Sequence, residues 1–95
     1  MEPQKMFIGG KWTEGSENKT FDVINPADGT VLACVYKSSV KDTQCAIAAA
    51  KKSFYTTREW RDTDSQTRGD ILLKIASLME EQAADLARTD CLDSG

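Results

Sequence analysis

The chain has 95 residues, of which 40% are apolar and 28% charged, and a net charge of −3. That length allows one domain and buries only roughly 60–65% of the unfolded surface, so stability on its own is expected to be marginal. The acidic balance, with no basic-aromatic stripe, argues against a nucleic-acid partner. No apolar run nears the ~18 residues of a membrane span. Met1 to Lys5 leads into no signal-peptide core, so a cytoplasmic location is expected.

Taken in order, Phe7-Ile8 and Lys11-Trp12 flank Gly9-Gly10, a pair that readily supplies φ > 0, which predicts a short hairpin. Glu14 to Lys19 is polar and contains Gly15, Ser16 and Asn18, as a loop tip does. Phe21-Asp22-Val23-Ile24 and Thr30-Val31-Leu32-Ala33-Cys34-Val35 are apolar and β-branched, and Asn25, Pro26 and Gly29 lie between them. That pattern is a strand, a turn and a second strand. Such an arm has unpaired edges that need covering, with Trp12 and Phe21 as its expected buried anchors.

Ser39 reads as a helix N-cap with Asp42 three residues on, so a helix is expected from Val40 to about Phe54. Ala46, Ile47, Ala49, Ala50 and Phe54 recur at helical spacing, and Lys51 and Lys52 complement the dipole in the later turns. Tyr55 to Thr63 breaks the pattern, and Trp60 within it is expected to pack between helices. Asp64 or Ser65 can cap the next helix. Ile71, Leu72, Ile75, Leu78 and Met79 form the strongest helical stripe in the chain. After the polar Glu80-Glu81-Gln82 a new stripe begins with Ala83, Leu86, Ala87 and Cys91, so a break is expected near Glu81. Gly95 suits a C-cap. The domain then divides into a strand arm over residues 1–37 and a helical region over 38–95, and it reads like the front of something larger.

Little here carries chemistry. There is no histidine, no C-x-x-C, no G-x-G-x-x-G and no P-loop pattern, so neither a zinc site nor a phosphate cradle is expected. Cys34, Cys45 and Cys91 read as small, buried, reduced thiols. Asp90 and Cys91 are neighbours whose side chains project about 100° apart on a helix, a poor nucleophile–base arrangement. No catalytic or cofactor-binding residue can be named.

The segment Ile24-Asn25-Pro26-Ala27-Asp28-Gly29-Thr30-Val31-Leu32 resembles the I-N-P-x-x-G-x-V-(I/L) block near the start of aldehyde dehydrogenases. Phe7-Ile8-Gly9-Gly10-Lys11-Trp12 before it, and Asp70 to Ala76 and Leu92-Asp93-Ser94-Gly95 after it, agree in order and spacing. The resemblance runs from about Met6 to Gly95 and is nearest the branch with betaine-aldehyde and broad-specificity members. It implies an α/β fold in which a strand arm and three helices pack on a Rossmann-like cofactor-binding domain. Members oxidise aldehydes to carboxylic acids with NAD or NADP through a cysteine thiohemiacetal, and form homo-dimers or homo-tetramers. Their nucleophile lies in a G-Q-x-C setting and their general base in an E-L-G-G-K setting. Neither is in this sequence, so the segment is expected to be structural and inactive, binding no cofactor itself. The resemblance also implies a monovalent cation, Na⁺ or K⁺, on the backbone carbonyls of Val23 and Ile24 and the carboxylate of Asp93. The alternative from another class is a standalone interaction module that pairs through its exposed strand arm.

Overall fold

The computed structural model describes residues 2–95. Its first elements are two separate antiparallel hairpins. Strands β1 (Met6–Ile8) and β2 (Lys11–Thr13) pair with Phe7 opposite Trp12. The turn between them is Gly9-Gly10 with φ of 61° and 79°, the doubly left-handed geometry that matches the twist of the flanking strands. The Phe7 and Trp12 rings meet edge to face at 4.9 Å.

Strands β3 (Thr20–Ile24) and β4 (Val31–Tyr36) form the second hairpin, with a register shift between Val23 and Ile24. The turn chemistry is local. The Asn25 N–H donates to the Thr30 carbonyl and the Gly29 N–H to the Asn25 carbonyl, both at 2.8 Å. The Asn25 side-chain oxygen accepts the Ala27 N–H at 2.9 Å. One edge of β4 is taken by Gln4, which donates to the Cys34 carbonyl (2.8 Å) and accepts the Tyr36 N–H (3.0 Å).

Helix α1 (Val40–Lys52) begins with the expected reciprocal cap. The Ser39 hydroxyl accepts the Asp42 N–H (3.1 Å), and the Asp42 carboxylate accepts the Ser39 N–H (2.9 Å). The same carboxylate also accepts the Ser16 N–H at 2.9 Å, which ties the β2–β3 loop to the helix start. Asp42 is 7% exposed. Its pKa lies below the ordinary aspartate value, first because of the Ser39 N–H, then through the Ser39 hydroxyl and Ser16, against an opposing desolvation. A depressed folded pKa stabilises the structure above the unfolded value of ~3.9, and that contribution is lost as pH falls through the folded pKa. The far-UV helical signal of the wild type is therefore expected to fall on acidification below about pH 4, while Asp42→Asn starts lower and responds less. Superimposable acid titrations of the two would contradict this role.

The helix does not reach Phe54. It passes at Ser53 into a π-helical turn (Ser53–Thr57), which Arg58 terminates with φ 61° while its N–H donates to the Ser53 carbonyl at 2.8 Å. A left-handed arginine is uncommon. Here its guanidinium is held by the Asp62 carboxylate through two bonds of 3.1 Å. The short α2 (Glu59–Asp62) follows, with Arg61 stacked 4.5 Å over the Phe54 ring. Asp64 caps α3 (Ser65–Glu81) by accepting the Thr67 N–H (3.1 Å) and hydroxyl (2.7 Å), which lower its pKa, the hydroxyl most. Gln82 breaks the chain, one residue past the expected position, and α4 (Ala83–Ser94) runs on to Gly95. The three expected helices are thus α1, α3 and α4, with the π turn and the four-residue α2 in the stretch between the first two.

No apolar residue among those described is buried. The surface is 7635 Å², against about 5,400 Å² for a compact monomer of this mass. The radius of gyration is 17.0 Å and the shortest dimension 18 Å, against a radius of about 12 Å for a compact domain of this length. Trp12 (69% exposed), Phe21 (52%) and Trp60 (46%) are therefore not buried anchors. Cys45 and Cys91 are exposed and Cys34 half-buried, not the core thiols expected. The cause is common to all of them. The helices and hairpins form one thin layer, and nothing within these residues covers its apolar face.

Candidate functional site

Two places bring distant parts of the chain together. The first is the end of the β3–β4 hairpin. Val23 and Ile24 close β3 at the register shift, and Asn25, 8% exposed, opens the turn. The last turn of α4 arrives at the same place. A Cβ built on Gly95 would lie 2.9 Å from Pro26 Cγ and 3.3 Å from the Ala27 nitrogen, so the helix end presses directly on the turn. Leu92 is the one residue of α4 that is half-buried rather than exposed. Asp93, next to it, is exposed and sits in the last helical turn. The fold thus carries Asp93 and the Val23–Ile24 segment to one end of the molecule.

A helix C-terminus carries partial negative charge, so a carboxylate in its last turn is unfavourable until positive charge is supplied. No basic residue stands in that turn of α4 to supply it. The oxygen donors named for the site are also what hard monovalent ions take. Among the described residues no three histidine, cysteine, aspartate or glutamate side chains cluster as a metal site.

The second place is an open groove of about 780 Å³ between the Gly9-Gly10 turn and the later half of α1, lined by Phe7, Ile8, Ala46, Ala49 and Ser53 among others. Gly9 and Ala49 are in close approach, since a Cβ on Gly9 would sit 3.7 Å from Ala49 Cβ. The only charged residues on its wall are Lys52 and Glu59. Its walls mix small apolar residues with Ser53 and Thr57, and it is open enough to accept a packed surface.

Cys34, Cys45 and Cys91 are free thiols. No helix of the described residues is long and apolar enough to cross a membrane. The outer edge of β4 is partly occupied by Gln4.

Comparison with known proteins gives one consistent answer. Residues 12–95 match the aldehyde dehydrogenase family. An aldehyde dehydrogenase of Aspergillus niger is 39% identical over 94 residues, covering 99% of this chain and 18% of that protein. The human mitochondrial 10-formyltetrahydrofolate dehydrogenase is 39% identical over 93 residues, covering 98% and 10% respectively. Among solved structures, the NAD⁺ complex of an aldehyde dehydrogenase from Bacillus cereus superposes with a TM-score of 0.91 at 35% identity, over 99% of this chain and 19% of that one. The chain therefore spans less than a fifth of the length of these relatives.

Proposed function

Because the chain belongs to the aldehyde dehydrogenase family, we infer that it supplies the N-terminal arm and helical layer of an NAD(P)-dependent enzyme that oxidises aldehydes to carboxylic acids. The observation that carries this is the uncovered layer. A fold superposing at TM-score 0.91 on one fifth of a larger enzyme buries none of its own apolar side chains. The stripes on α1 and α3 and the groove beside Ala49 are then packing surfaces for the rest of that enzyme, which provides nucleophile, general base and dinucleotide site. The chain itself contributes structure and no reacting group. The whole enzyme works in the cytoplasm as a homo-dimer or homo-tetramer, on an aldehyde of the betaine-aldehyde or broad-specificity kind.

The test is association. The 95-residue chain is mixed with the Bacillus cereus enzyme truncated of its matching fifth and run on a sizing column. A one-to-one complex is expected. Independent elution of the two would overturn the reading.

In that enzyme the carbonyl oxygens of Val23 and Ile24 and the carboxylate of Asp93 hold Na⁺ or K⁺, which neutralises the carboxylate at the α4 terminus and pins the arm to the helix end. The reconstituted complex is expected to melt higher in Na⁺ or K⁺ than in a bulky organic cation at equal ionic strength. Asp93→Asn should abolish that difference. An undiminished cation response in the variant would remove Asp93 from the site.

A further inference from the structure

We draw no further inference here: the strongest candidate, the exposed patch that Phe54, Tyr55 and Arg61 form at the π turn, carries nothing, because nothing in the structure shows what covers it.

Discussion

Aldehyde dehydrogenase activity is expected to return when the 95-residue chain is added to a family enzyme stripped of the corresponding N-terminal fifth. The truncated enzyme keeps its nucleophile and dinucleotide site but loses the layer that this chain matches over 99% of its length. Catalytic groups held even about 1 Å out of place cost on the order of a hundredfold in rate. The recovery, read as NADH formed from NAD⁺ and an aldehyde, should be at least of that order. For a purely structural role the rate should saturate at one chain per truncated subunit. Activity in the chain alone, or rescue by a variant with aspartate at both Ile71 and Leu78, would contradict a purely structural role.

Gly15→Ala is expected to weaken that complex by roughly 30- to 150-fold, the equivalent of about 2–3 kcal/mol. Gly15 has φ +85°, a conformation that side chains rarely adopt, and a Cβ there would lie 2.8 Å from both Asp42 Oδ2 and Met6 Cε. Backbone strain of about 1–3 kcal/mol is unavoidable at such a φ. The methyl group also pushes on the carboxylate that joins Ser16 to the start of α1. A Gly29→Ala variant makes the control. Its φ is likewise positive, at +74°, but nothing lies within 4 Å of the added carbon. Gly29→Ala should lose only the strain component, and the gap between the two variants measures the contacts with Asp42 and Met6. Equal losses would mean that those contacts have no weight.

Local chemistry was legible in the sequence where a short range decides it. Ser39 with Asp42, Gly9-Gly10 and Asp64 each form their bonds or turns within a few residues. The strands lie within about a residue of their expected ends for the same reason. The π turn was not legible, because nothing in Ser53 to Thr57 signals an i to i+5 bond, and arginine is an unusual choice for a left-handed cap. The tether from Asp42 to Ser16 spans 26 residues, and the seating of Gly95 on Pro26 is longer still. Sequence periodicity does not reach contacts of that separation. Trp12, Phe21 and Trp60 show a different limit. Their hydrophobicity says that they should be covered, but not whether the cover lies within these 95 residues. The residues named for the cation came from family resemblance alone.

The central claim is that this layer has no core of its own. The direct test is thermal and urea unfolding of the chain by far-UV circular dichroism, over a range of protein concentrations. A shallow, non-cooperative loss of signal is expected, with no defined urea midpoint. A sharp transition that is independent of concentration, with a urea slope of about 1 kcal/mol per molar as for a small folded domain, would show that the chain closes a core by itself and would contradict the account.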